Sequence, residues 1–234
     1  MIISEKKRKI DRIAVKGTSM EHRSKNTARS TFGNAMIALG GLLIAAALGL
    51  AAYNILDAKR AEKASHEITD QLVEEIGHRT EDGTTPSPYA DKDAQMPTAV
   101  IDGYEYIGIL EIPGRSLSLP VMSTWDYDRL QIAACLFTGS YYSNDIVICA
   151  HNYANFFMPL ITMAIGEDVY FTNVEGMTIH YIVTNRETVQ PTDVEGMTEN
   201  ISNSGQSTMD WDMTLFTCNL GGQTRCAVRC KRVE

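Results

Sequence analysis

The sequence has no Cys-x-x-Cys pair, and its cysteines number five. A disulfide framework or a zinc knuckle is therefore excluded as the organising principle, and at least one thiol is left over unless it pairs with another chain. Proline is scarce, at 7 of 234 residues beside 17 glycines, which removes collagen-like readings. With 44% hydrophobic and 21% charged residues the composition is globular, so wholly disordered readings fall too. A net charge of −8 argues against a nucleic-acid partner. The length suits one domain with appendages, or at most two small domains.

Charge is missing altogether between Arg29 and Asp57. Within that gap Phe32 to Tyr53 is nearly all apolar or small (FGNAMIALGGLLIAAALGLAAY). At about 1.5 Å per residue, about 20 such residues span a bilayer's hydrocarbon core as a helix. A cleavable signal peptide would have an apolar core of about 7–15 residues and a short basic region. Here the run is longer, and residues 1–29 hold nine Lys and Arg against three acidic residues. That segment has a net charge of +6, leaving −14 for the other 205 residues. The basic excess lies N-terminal to the span, so the N-terminus is expected in the cytoplasm and the rest outside. Only Lys59, Arg60 and Lys63 follow the span closely, too few to reverse the bias.

Beyond the span, residues 57–78 favour helix and lack proline, with Ile68, Leu72, Val73 and Ile76 as a narrow apolar stripe. Three of the seven prolines then fall in residues 79–100, a linker signal. From about Ile101 short apolar runs alternate with turns: YIGILEI (to 112), LSLPV (117–121), DIVICA (145–150), DVYFT (168–172), TIHYIV (178–183), DMTLFTC (212–218) and RCAVRC (225–230). Residues 126–135 and 154–164 read as short helices, and VEGMT occurs twice, at 174–178 and 194–198. The expected fold is mainly β, a closed β-barrel with short helices. The expected segments are a basic tail (1–31), a membrane signal-anchor helix (32–54), a helical stalk (55–79), a linker (80–100) and the β-barrel (101–234).

Three polar residues stand at strand ends. His151 follows IVICA, Cys218 ends TLFTC and Arg225 opens RCAVRC. The Gly pair in NLGGQT suits a hairpin that sets Cys218 opposite Arg225. Alternation then groups Cys226, Val228 and Cys230 on one face and Arg225, Ala227 and Arg229 on the other. A thiol beside cations is a nucleophile, because the thiolate is the reactive species. An imidazole shuttles the proton, and a guanidinium donates to a developing oxyanion. Such chemistry requires no metal and no cofactor.

The combination of TLFTC with Arg225 seven residues on and Ala150-His151-Asn152 upstream resembles the sortase signature. YIGILEIPG, LPV at 119–121, the Gly-Ser turn before the His strand and GEDVYF at 166–171 extend the similarity over about residues 101–234. The resemblance implies an eight-stranded β-barrel and a membrane-anchored cysteine transpeptidase of Gram-positive bacteria. It implies that Cys218 forms a thioacyl enzyme and that His151 protonates the leaving amine. It further implies that Arg225 holds the substrate or the oxyanion, and that Thr217 adds a substrate contact. The implied partners are secreted proteins with an LPxTG-like C-terminal sorting signal, and a peptidoglycan-precursor or pilin amine as acceptor. Pilin-polymerising sortases often add a second, C-terminal membrane helix and a lid with an Asp-Pro-aromatic motif. This sequence shows no second apolar span and offers only Ser87-Pro88-Tyr89, so that subclass is disfavoured.

The rival readings are a membrane-tethered β-barrel that binds or scaffolds without catalysis, and a hydrolytic cysteine protease. Arg229 is the rival to Arg225. His180, mid-strand, reads as a packed or edge residue, Cys149 as a small buried side chain, and Trp125 and Trp211 as packing. Cys226 and Cys230 lie four apart in one strand, about 13 Å, too far to bond to each other. Glu167, Asp168 and Glu175 read as solvated loop charges rather than a calcium site.

Overall fold

A computed structural model describes residues 2–81, 91, 93–198 and 211–233, with side chains from residue 32 onward. Ser87-Pro88-Tyr89 and most of the Pro-rich stretch lie outside the described residues. The chain divides into two compact units, Met1–Leu56 and Asp57–Glu234. Helix α1 (Ile2–Glu81) runs through the first and into the second. In the first unit the apolar stretch is long enough to cross a membrane, and none of its most apolar part is buried. Leu42, Leu43, Ile44 and Leu48 all point outward. An all-apolar helix with no protein around it fits lipid as its solvent, because such a helix satisfies its own backbone.

The second unit is built on nine strands: β1 (Ala99–Ile101), β2 (Tyr104–Ile112), β3 (Leu117–Met122), β4 (Ala134–Thr138), β5 (Ile146–Cys149), β6 (Asp168–Asn173), β7 (Thr178–Val189), β8 (Met213–Cys218) and β9 (Arg225–Arg232). Eight of them follow the order β2-β3-β4-β5-β8-β9-β7-β6, and pairing of β2 with β6 closes the ring. β1 is a short extra strand on β2. The closed eight-stranded barrel expected from the sequence is the fold observed. One core cluster draws residues from all eight barrel strands, among them Leu110, Leu119, Phe171, Tyr181, Leu215 and Val228. That cluster is the barrel interior. Alternate residues such as Tyr106, Val147, Phe216 and Ala227 form a second cluster on the outer face.

The stalk belongs to this second cluster. Ile68, Leu72 and Ile76 of α1 are buried against the outer face. Burying each contributes about 1.5–3 kcal/mol. Val73, expected in the same stripe, is instead 56% exposed. It lies one residue past Leu72, about 100° round the helix, and so points away from the barrel. Ala61, Ser65 and Thr69 take its place on the buried face.

Residues 126–135, expected as a helix, give only a 3₁₀ turn at Arg129–Gln131 and then strand β4. Ala133, Ala134 and Cys135 are buried, and the pairing of β4 with β3 and β5 overrides the expected helix. Residues 154–164 shrink to a 3₁₀ turn at Met158–Thr162. The two VEGMT copies adopt different structures. At 194–198 the copy is helix α2 (Val194–Thr198), with the Asp193 carboxylate accepting the Gly196 N–H at 2.9 Å. At 174–178 it is the turn between β6 and β7, where Asn173 Oδ1 accepts the N–H groups of Glu175 and Met177 at 3.0 and 2.9 Å. The preceding polar side chain decides, as a helix cap in one and an Asx turn in the other.

Barrel closure leaves no room at Gly108. A Cβ there would lie 2.2 Å from the Thr172 carbonyl oxygen and 2.9 Å from the Phe171 ring. Gly108 pairs with Asn173 across the β2–β6 seam and follows a bulge against β3. Gly108→Ala is expected to cost about 3 kcal/mol by overpacking the seam. A lowered melting temperature of the full chain in detergent checks it.

Candidate active site

Three adjacent strands end at the same rim of the barrel. β5 runs parallel to β8 with Cys149 opposite Phe216. The pairing continues past the strand end. The Ala150 N–H donates to the Phe216 carbonyl at 3.4 Å, and the Thr217 hydroxyl donates to the Ala150 carbonyl at 2.8 Å. One further step sets His151 level with Cys218, on strands about 4.8 Å apart. On the other side β9 runs antiparallel to β8, with Cys218 opposite Arg225. Side-chain alternation puts Cys149, Phe216 and Ala227 in the outer cluster. Cys218 and Arg225, each two residues from one of them in the same strand, therefore share that outer face, and His151 lies two residues past the end of β5.

The hairpin that joins Cys218 to Arg225 has the chemistry its sequence announces. Gly221 and Gly222 take φ of 86° and 72°, where a side chain is strained. The Asn219 N–H donates to the Thr224 carbonyl at 2.9 Å, and Asn219 Nδ2 donates to Thr224 Oγ1 at 2.9 Å. Arg225 Nη1 donates to the carbonyls of Gly222 and Thr224 at 3.1 and 3.3 Å. A guanidinium carries five N–H donors, so donors remain for a bound carbonyl.

Cys218 is partly exposed, and the other four cysteines are buried. Burial pushes the Cys135 thiol up to about 12 and raises those of Cys149, Cys226 and Cys230. These four are held as neutral thiols and behave as small apolar side chains. His151 is half-buried, and burial lowers its pKa, while the Asp57 carboxylate acts in the opposite sense.

The other sequence-derived candidates separate clearly. Arg229 is 3% exposed and fully engaged: Nε reaches Glu187 Oε1 at 2.7 Å, Nη1 reaches Thr214 Oγ1 at 2.7 Å, and the carbonyls of Gly196 and Met197 accept its remaining donors. Its guanidinium also lies over the Trp211 ring at 5.3 Å. It anchors α2 to the barrel and faces no open site. Thr217 is buried with its hydroxyl on Ala150, so it ties the Cys strand to the His segment. His180 pairs with Asp168 at 2.8 Å and stacks on Tyr170, on the edge of β6 and β7. The Glu167 carboxylate is held by Arg115, which keeps its pKa below the usual range. Among the described residues no three metal-ligating side chains come together.

Two neighbours of His151 carry no motif signal. The Tyr153 ring lies 5.1 Å from the imidazole, and its hydroxyl donates to Asp57 Oδ2 at 2.9 Å. The Tyr153–Asp57 bond joins segments 96 residues apart in the chain, so neither spacing nor periodicity could have found it.

A closed eight-stranded barrel that presents a lone accessible cysteine between a histidine and an arginine defines a thiol-based transferase or hydrolase. The sortase domain family matches residues 110–233, more than half of the chain. The protein belongs to the sortase family, the cysteine transpeptidases. Among solved structures, it is similar to sortase C of Streptococcus pneumoniae at 26% identity, covering 72% of this chain and 97% of that one with a TM-score of 0.50. Similarity extends to sortase C1 of Streptococcus suis, at 27% identity over 56% of this chain and 74% of that one with a TM-score of 0.46. For sortase C of Clostridium perfringens the figures are 20%, 75% and 95%, with a TM-score of 0.47. No curated protein sequence matches the chain.

Two tests follow from the burial pattern. Iodoacetamide on the folded full chain is expected to give one adduct, at Cys218, and none in Cys218→Ser, read by intact mass. Arg229→Met is expected to cost about 3 kcal/mol, because the carbonyls of Gly196 and Met197 lose their donors. Thermal unfolding in detergent checks it.

Proposed function

We propose that the protein is a single-pass membrane sortase, with a cytoplasmic N-terminus and an extracellular barrel, that joins secreted proteins to a surface amine. The observation that carries the reading is that Cys218 ends β8 opposite Arg225 of β9, while the neighbouring β5 ends two residues before His151. Cys218 Sγ attacks the carbonyl carbon of a peptide bond in an LPxTG-like sorting signal. The C–N bond breaks, His151 gives its proton to the leaving amine, and a thioester remains on Cys218. An incoming amine on a peptidoglycan precursor or pilin then attacks the thioester. His151 takes the amine's proton, the new amide forms, and the thiolate departs. Arg225 donates to the carbonyl oxygen as its negative charge develops in each step. Thr217 keeps Cys218 in register with His151 through the Ala150 carbonyl.

The burial of His151 suits this use. An imidazole whose proton affinity is lowered gives its proton up more readily to a leaving amine and is neutral when it must accept one. The basic residues before the span support the orientation.

The test uses the full chain in detergent, a panel of LPxTG-like peptides, and oligoglycine or other amines, with products read by mass spectrometry. A thioester on Cys218 and an amine-linked product are expected. Cys218→Ala and His151→Ala should each reduce turnover by about 10³-fold or more, and Arg225→Ala by about 10²–10³-fold. Release of acid alone in the presence of amines would instead establish a hydrolase. An unreactive Cys218 with no acyl-enzyme from any peptide would establish a tethered binding domain.

A further inference from the structure

The segment that carries His151 is held at its side-chain end by the stalk. β5 stops at Cys149, so ladder pairing fixes the His151 backbone only through Ala150. Beyond it the chain turns away. The His151 carbonyl accepts the Phe157 N–H at 3.0 Å, and the Tyr153 carbonyl accepts those of Phe156 and Met158 at 3.0 and 3.1 Å. This tight turn presents the Tyr153 ring to the imidazole at 5.1 Å and 31° between planes. At the opposite end of Tyr153 the hydroxyl donates to Asp57 Oδ2 at 2.9 Å.

Asp57 is the first residue of the barrel unit, where α1 enters it. Ala61, Ile68, Leu72 and Ile76 bury the same helix against the barrel further on. The carboxylate is therefore held on a packed helix rather than a loop. Beside the imidazole stand Tyr153 from its own loop and, acting by its charge, Asp57 from α1; β8 and β9, which carry Cys218 and Arg225, are the next strands along the rim. Among the described residues Asp57 is the carboxylate that acts on the imidazole, and it opposes the effect of burial.

We infer that Asp57 and Tyr153 are a positioning pair for His151, in which Tyr153 sets the ring's orientation and Asp57 fixes Tyr153 while placing a negative charge beside the ring. The inference rests on the proton-carrying role proposed for His151 above. It makes the first turn of the stalk part of the catalytic unit rather than a spacer. The sign is fixed by the geometry. Without the Asp57 charge, burial acts unopposed and the imidazolium loses its proton at lower pH.

Two substitutions in the full chain in detergent separate the contributions. Asp57→Asn keeps an acceptor for the Tyr153 hydroxyl and removes the charge. Tyr153→Phe keeps the ring and removes the hydroxyl. The His151 imidazole is followed by NMR in a Cys218→Ala background, which uncouples it from the thiol, and its signal is assigned by loss in His151→Ala. Asp57→Asn is expected to move the titration down by about half a pH unit or more, and Asp57→Glu to restore it. Tyr153→Phe should lower kcat about tenfold with KM unchanged. Coincident titrations for Asp57→Asn and the parent overturn the inference, as does a loss of thermal stability with the titration unmoved. The titration needs no turnover. A wild-type protein that processes no peptide sinks the transpeptidase reading while the NMR arm still decides the pairing.

Discussion

Strand β8 is the constraint on which the rest of the molecule depends. It is paired on both sides, parallel to β5 and antiparallel to β9, and its last residue is Cys218. A strand with two partners has no freedom to slide, because a one-residue slip would exchange its inner and outer faces. Met213 and Leu215 would leave the barrel interior, and Thr214 and Phe216 would enter it. The hydrophobic core thus sets the position of the thiol. The same register fixes Arg225 across the hairpin and brings the segment before His151 alongside. The Thr217 hydroxyl adds a stitch at the point where the β5–β8 ladder runs out.

The five thiols of the barrel show what this placement does. Cys135, Cys149, Cys226 and Cys230 are buried in the barrel wall, where desolvation keeps a thiol protonated. Cys218 is partly exposed where its strand ends and the wall gives way to a turn. The difference between these sulfurs is therefore one of burial: Cys149 also ends its strand, yet stays covered. The two arginines of β9 divide in the same way. Arg229 sits mid-strand and its donors are taken up by Glu187, Thr214 and two carbonyls of α2. Arg225 sits at the rim, where its guanidinium donates to the turn carbonyls of its own hairpin.

Much of this was legible in the sequence because it is local or periodic. The apolar runs gave seven strands near their observed places, and the Gly pair gave the hairpin that faces Cys218 with Arg225. Alternation sorted Cys226, Val228 and Cys230 inward and Ala227 outward, as the two core clusters have it. What stayed hidden is long-range. Strand β4 is not among the apolar runs that read as strands, and its first two residues fall in the helix expected over 126–135; its pairing with β3 and β5 makes it a strand. The parallel β5–β8 contact joins segments nearly 70 residues apart and leaves no trace in spacing. The duplicated VEGMT shows the limit plainly, since one pentapeptide is helix after Asp193 and turn after Asn173.

The three site residues are not held with equal stiffness. Cys218 and Arg225 belong to ladder positions of a closed sheet, and moving either means breaking barrel hydrogen bonds. His151 is past the end of its strand, and its ring is placed by side chains: Tyr153 beside it and, through Tyr153, Asp57. It is the adjustable member of the three. The proton-carrying role proposed for it has use for that freedom, since in that mechanism it serves a leaving amine and then an incoming one. The stalk helix, packed on the barrel through Ile68, Leu72 and Ile76, confines that adjustment by carrying Asp57 on a rigid element. Sheet register sets Cys218 and Arg225, and a helix docked from outside the sheet reaches His151 through Tyr153.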